Sequence, residues 1–307
     1  MRSLKTYYSI LRKKGFYTCL RELKKAVWPL WFTRNREAIE LIQAERASRY
    51  LLCRYGSLIA KPLDTPQSNV PTRIIWLCWL QGLDQAPEIV QKCVASVKHY
   101  MPDYKVQILT SENIFDFVSL PEHIVRKYQK GTISFTHFSD ILRTALLVQH
   151  GGIWLDATVL LTDELPTQMT ETPLFLLQKS KLSQIPHFGS NWFLVSYKGN
   201  AVMKRMFDLL CAYWANENKV CDYFIYHLFL YLLLTRNEQG VAAQKEIQYI
   251  PNVDAHTLQF SLFDEYNEHI WQQIISRSPI HKLTWKFKDT SLLKKQGTYY
   301  NHILHLS

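Results

Sequence analysis

One stretch constrains the fold more than any other: HFSDILRTALLVQHGGIWLDATVLL, residues 137–161. Ile141, Ala145 and Val148, flanked by Leu142 and Leu146, recur at helical spacing, and Ser139 or Thr136 suits the helix N-terminus. Gly151 suits its left-handed C-terminal cap. A short apolar run, 153–155, follows at once and ends on Asp156. A helix over about 139–150 that turns through two glycines into a buried strand is a unit of an open α/β sheet, where ligands bind at the carboxyl ends of strands. Asp156 is thereby delivered to the ligand edge. Asp140 and Arg143, three apart, share one helix face and point back toward the same crevice if helix and strand are antiparallel.

The neighbouring sequence repeats the pattern. Residues 73–80 are near-continuously apolar and end at Gln81-Gly82, as a buried parallel strand and its loop would. A helix from about 87, a strand over 104–110 and helices over 113–118 and 122–130 follow, so the spacing predicts a doubly wound, mostly parallel sheet with helices on both faces. Trp76 and Trp79 with Gln81 and Gly82 suit a nucleotide-base pocket, since a ring stacks on a base and glycine allows close backbone approach. Residues 189–196 read as a loop entering a buried strand, which places Ser190 or Asn191 either on an acceptor side or in a turn. Asp222 precedes the aromatic run 223–227, where an N-cap role alone would explain it.

Charge is distributed unevenly: residues 1–50 hold twelve Lys/Arg against four Glu, a net +8, and the other 257 residues carry only +2. The main domain therefore lacks the basic face of a nucleic-acid binder. Leu4, Tyr7, Tyr8 and Leu11, then Phe16, Leu20, Leu23 and Val27, form two amphipathic stretches that lead into Trp28, Trp31 and Phe32. Residues 1–32 read as a peripheral attachment to an anionic membrane surface, at about 1 kcal/mol per basic residue. Packing of these helices on the main domain, or binding of an acidic protein, are the alternatives. No run reaches the roughly 18 apolar residues of a membrane span. With six cysteines that form no C-x-x-C pair, the expected location is cytoplasmic, peripheral on the inner face of the plasma membrane. The expected organisation is a basic helical appendage over 1–60, a proline-rich linker over 61–71 and one α/β domain over 72–307.

No G-x-G-x-x-G or G-x-x-x-x-G-K-[ST] is present, so any phosphate must be held otherwise. Ser139-Asp140-Ile141-Leu142-Arg143, Gly151-Gly152 and Ile153-Trp154-Leu155-Asp156-Ala157-Thr158 together resemble the capsular polysaccharide synthesis family, related to glycosyltransferase family 32, sugar transferases of GT-A fold. The resemblance runs from about residue 71 to HKLTWK, residues 281–286. It implies hexosyl-type transfer from a nucleotide diphosphate donor, a UDP-sugar in the first place, to a growing surface glycan or its lipid-linked precursor, with retention and a divalent cation. It assigns Asp140 and Arg143 to the donor sugar and Asp156 to ribose and metal, and brings Asp222 near the site as a base or orienting group. Thr158 stands where the second carboxylate of a D-x-D motif would be, so Mn²⁺ or Mg²⁺ would need another hard ligand. His281 is the candidate. Lys282 and Lys286 could neutralise leaving-group charge beside a cation or in its place, or flank a strand at the surface. A sugar-phosphate transferase and a catalytically degenerate membrane-bound scaffold are the alternative functions.

Overall fold

The computed structural model describes residues 36–63, 68 and 70–306; the expected membrane segment, 1–32, lies outside them. The helix α1 (Arg36–Ala60) leads through residues 61–73 to β1 (Ile74–Cys78), α2 (Glu88–Tyr100), β2 (Lys105–Leu109), α3 (Ile114–Phe117), α4 (Glu122–Gln129) and α5 (Phe135–His150). Then come β3 (Gly152–Leu155), β4 (Val159–Leu161), α6 (Thr167–Thr170), β5 (Leu174–Gln178), β6 (Gly189–Ser196), α7 (Ala201–Asn216) and α8 (Ile225–Arg236). The chain ends with α9 (Glu238–Glu246), α10 (Val253–Ser261), α11 (Glu268–Arg277), β7 (Ile280–Lys282) and α12 (Tyr299–Leu304).

The central sheet has the order β2-β1-β3-β6-β5, with β2, β1 and β3 parallel and β6 antiparallel to both its neighbours. Strand alternation sends side chains to two cores. Trp76, Trp154 and Leu194 pack on one face with α1, α5, α7 and α8, while Ile75, Leu77, Ile153, Leu155 and Phe193 pack on the other with α2. Helices thus cover both faces of a mostly parallel sheet, as the alternation of apolar runs predicts. A third core joins α2, α10, α11 and α12 beneath the two-stranded β4–β7 sheet.

Two expectations are corrected here. The globular unit does not begin near Pro71: Ala44, Ala47, Leu51, Tyr55 and Ile59 of α1 are buried in the main core, against α7 and α8. The Arg205 guanidinium donates to the carbonyls of Leu58, Lys61 and Pro62, and Asn237 donates to those of Ile59 and Lys61. These bonds satisfy the carbonyls that the end of a helix leaves open. The cap of α5 is also earlier than expected, Ser134 accepting from the His137 backbone N–H. The helix gains a turn in which Ser139 and Thr136 are interior.

Candidate active site

The site is assembled where α5, β3 and β7 meet. Gly151 and Gly152 have φ of 73° and 97°, and a Cβ on Gly152 would stand 2.4 Å from the carbonyl oxygen of Ile74. That close approach is what lets β3 leave α5 and pair with β1 at Ile75↔Ile153 and Trp76↔Trp154. One residue beyond β3, the Asp156 N–H bonds to Trp192 O at 2.9 Å and so continues the β3–β6 ladder.

Behind this edge lies a buried polar network. Arg143 is 4% exposed; its Nη1 donates to Asn191 O at 2.6 Å, its Nη2 to Ser139 Oγ at 2.5 Å and its Nε to Ser139 O at 3.1 Å. Nη2 is also 3.5 Å from Asp140 Oδ1 and 3.7 Å from Asp156 Oδ1. Asp140, buried, accepts from Asn191 Nδ2 at 2.8 Å, and its other oxygen is 3.8 Å from His137 Nδ1. Asp156 Oδ1 accepts from the Trp154 indole N–H at 3.0 Å and Oδ2 lies 3.1 Å from Lys282 Nζ. Burial would raise the Asp156 pKa, but the charges of Lys282 and Arg143 and the Trp154 hydrogen bond outweigh it and hold the carboxyl below its ordinary value.

Lys282 arrives from 126 positions downstream through strand pairing. β7 runs antiparallel to β4 with Lys282 opposite Val159 and His281 opposite Leu160, and Leu283 N–H bonds to Thr158 O at 2.9 Å. The ammonium of Lys282 then donates to Thr158 Oγ1 at 2.5 Å. In front of this cluster opens a crevice of about 630 Å³, lined by Arg143, Asp156, Thr158, Lys282 and Lys286 on its polar side. Its aromatic wall includes Trp79, Trp154, Trp285, Tyr128 and Phe135. Trp285 meets Trp79 edge to face at 5.4 Å, and the Trp79 indole N–H is buried without a hydrogen-bond partner. Cys78, also on the wall, keeps its thiol proton, since burial pushes its pKa up to about 12. A separate apolar cavity of about 410 Å³, between α2, β4, α11 and α12, shares no lining residue with the crevice.

Of the residues singled out from sequence, Trp79, Gln81, Arg143, Asp156, Thr158, Lys282 and Lys286 line the crevice together. Asp140 and Asn191 lie behind Arg143 and orient it. Of the remaining three, Trp76 and His281 need correction, and Asp222 lies apart from the crevice. Trp76 is inside the core, its indole donating to Gly151 O at 2.9 Å and its ring against Phe117 and His150, because a mid-strand position faces a packed helix layer. His281 is fully buried with Nε2 3.0 Å from Thr162 Oγ1, since it alternates with Lys282 along β7 and turns the other way. Asp222 does not cap α8 by its side chain; it accepts from Phe224 N–H at 2.8 Å and lines a different depression with Glu40, Gln43, His187, Tyr223 and Phe224. Sequence reasoning missed Trp285, Trp154 and Tyr128. Trp285 stands within HKLTWK between Lys282 and Lys286, and only the folding back of β7 shows its ring to be part of the wall.

The three expected metal ligands do not converge. A divalent cation takes several hard oxygens at about 2.0–2.6 Å, yet the gap between Asp156 Oδ2 and Thr158 Oγ1 is spanned by the Lys282 ammonium, and His281 faces away. Among the described residues no group of three or more His, Cys, Asp or Glu side chains could hold a metal ion.

The chain is 26% identical over 166 residues to "Glycosyltransferase afumC" of Aspergillus fumigatus, covering 48% of this chain and 42% of that protein. It is 24% identical over 201 residues to "O-glycosyltransferase braB" of Annulohypoxylon truncatum, covering 59% and 46%. The chain thus spans less than half the length of these curated relatives. A solved structure, "PaToxG Glycosyltransferase", matches with a TM-score of 0.41 at 15% identity, covering 86% of this chain and 97% of that one. Residues 28–303 match the family described as "Capsular polysaccharide synthesis protein", and the chain belongs to that family.

Proposed function

We propose that the protein is a glycosyltransferase that moves a sugar from a nucleoside diphosphate donor, UDP-sugar foremost, to a surface glycan or its lipid-linked precursor. The observation that carries the reading is the pairing, in one crevice at the sheet edge, of three cationic side chains with an aromatic wall. A diphosphate needs the first and a base the second. The names of the curated relatives and the family description support the same class of chemistry. In this reading an acceptor hydroxyl attacks the anomeric carbon, the bond from that carbon to the phosphate oxygen breaks, and the nucleoside diphosphate leaves. With retention, the attack comes from the leaving-group face and the acceptor proton passes to a donor phosphate oxygen. Asp156 meets the ribose or sugar hydroxyls, and Asp140 holds Arg143 toward the donor.

The acceptor side falls to the depression at Asp222. The exposed rings of Tyr223 and Phe224 suit the apolar faces of sugars. The Tyr223 ring is 5.8 Å from that of His137, which contacts Asp140, so this depression and the crevice are separated by the first turn of α5. Residues 1–32 would bring the enzyme to an anionic membrane, on its cytoplasmic face, where a lipid-linked acceptor resides. No helix among the described residues is long and apolar enough to cross a membrane.

Calorimetric titration with UDP, GDP and CMP tests the donor site. Binding of one nucleotide, weakened at least tenfold in Asp156→Ala with folding retained, is the expected outcome, and no binding by any of them favours the scaffold reading. Product analysis then separates a glycoside from the phosphodiester that a sugar-phosphate transferase would make, and the anomeric coupling of the product reports retention. Flotation with anionic vesicles, compared with neutral ones, tests the membrane attachment.

A further inference from the structure

We propose that this site binds its nucleoside diphosphate without a divalent cation, with the Lys282 ammonium as the fixed positive charge against the diphosphate. The inference rests on the donor-site reading above and deepens it.

Lys282 is placed by backbone pairing, like a strand residue in any ladder. Its register with Val159 and the adjoining Leu283–Thr158 bond hold the Cα, and contacts to Asp156 Oδ2 and Thr158 Oγ1 hold the ammonium, whose side chain is 17% exposed. An ammonium has three donors. Two are used on these oxygens, which leaves one for a ligand in the crevice that Lys282 lines. A divalent cation bound by Asp156 and Thr158 would have to displace that ammonium from both of its acceptors, and would meet Asp156 already engaged on its other oxygen by Trp154. Neutral Thr158 gives little in return.

The charge balance points the same way. Arg143, Lys282 and Lys286 on the crevice lining face Asp156 beside them and Asp140 behind Arg143, which leaves a net +1. The diphosphate of a nucleotide sugar is anionic, so it meets a site whose net positive charge is already in place on Lys282 and Lys286. Lys286 lies at the mouth, with its Nζ 5.3 Å from the centre of the Trp285 ring. Phosphate between Lys282 and Lys286 would leave a base within reach of Trp79 and Trp285. As charge develops on the departing diphosphate, a preorganised ammonium stabilises it as a metal would, without reorganisation.

The experiment is calorimetry of the full chain with UDP, and with GDP and CMP in parallel, once in EDTA and once in Mn²⁺. The expected result is the same Kd within about twofold in both, with Lys282→Met at least tenfold weaker in EDTA. Binding that requires Mn²⁺ overturns this inference while leaving the donor site in place. Absence of binding in both conditions overturns the donor-site reading and this inference with it. The wild-type comparison decides the matter even where Lys282→Met does not fold, and the exposed Lys286→Met is a second variant, expected to weaken binding in EDTA with its unfolding profile unchanged. Unaltered affinity in both variants would also refute the proposal.

Discussion

The guanidinium of Arg143 lies 5.0 Å from the centre of the Trp154 indole ring, so a buried charge rests on an aromatic face while its edge reaches two carboxylates. Removing that charge by Arg143→Met leaves Asp140 buried with only Asn191 and His137 beside it. A loss of about 3–5 kcal/mol in unfolding free energy is expected, as for other buried pairs broken on one side. Arg143→Lys should recover little of it, because one ammonium cannot reach Ser139 O, Asn191 O and the carboxylates in the planar fork that the guanidinium provides. Urea unfolding of the two variants at neutral pH is the measurement, and full stability of either would show that the network is not held by this geometry.

Gly152 and Gly82 both have positive φ, 97° and 82°, but differ in what surrounds them. A Cβ at Gly82 meets nothing within 4 Å, whereas at Gly152 it would meet the Ile74 backbone at 2.4 Å. Gly82, at φ 82° and ψ 148°, holds a backbone conformation that residues other than glycine rarely adopt, so Gly82→Ala should cost only that strain, about 1–3 kcal/mol. Gly152→Ala must also push β3 off β1, and a loss beyond about 4 kcal/mol, or failure to accumulate as folded protein, is expected. Thermal unfolding of both variants distinguishes strain alone from strain with collision.

The helix, the two glycines and the strand ending in Asp156 were legible because each signal is local: apolar spacing, a turn residue and a short apolar run. What joins them to Lys282 is not local. The Thr158–Lys282 contact spans 124 positions and depends on β4 and β7, two three-residue strands too short to carry a pattern. The same limit explains His281, for which one position along a strand reverses the face. Trp76 and Trp79 could not be separated because an apolar run does not mark the residue at which its strand ends; β1 stops at Cys78, leaving Trp79 free to turn into the crevice. Helix α1 shows an apolar face in sequence, but nothing in its spacing names α7 and α8 as the partners.

Acid sensitivity should be dominated by imidazoles. Burial lowers His281 from 6.5 to about 4, and likewise His187 to about 4 and His227 to about 3. Between pH 6.5 and these values the unfolded chain binds more protons than the folded one, so stability falls as pH drops through that window. Asp156 acts lower down: with its folded pKa depressed, its contribution is full above the unfolded value of about 3.9 and is lost only as pH falls through the folded one. His281→Gln should therefore narrow the stability difference between pH 7 and pH 5, and Asp156→Asn should leave that difference unchanged. Urea midpoints at the two pH values provide the check, and the opposite assignment of effects would refute the ordering.

The two tryptophans give the sharpest contrast between core and site. Trp285 is 40% exposed and packs edge to face on Trp79 in the crevice wall, so Trp285→Ala removes ring area against which a bound base would stack. Stacking of this kind is worth about 1–3 kcal/mol per base, and the variant should bind its nucleotide about 5- to 150-fold more weakly, with a small loss of Tm from the missing contact with Trp79. Trp76 is 2% exposed and donates to Gly151 O. Trp76→Phe leaves that buried carbonyl without its donor, at a cost of about 1–3 kcal/mol, and should lower the Tm without changing nucleotide affinity. Calorimetry and thermal unfolding on both variants decide the assignment. An affinity loss in Trp76→Phe together with none in Trp285→Ala would return the base pocket to the strand interior and move the aromatic wall out of the site.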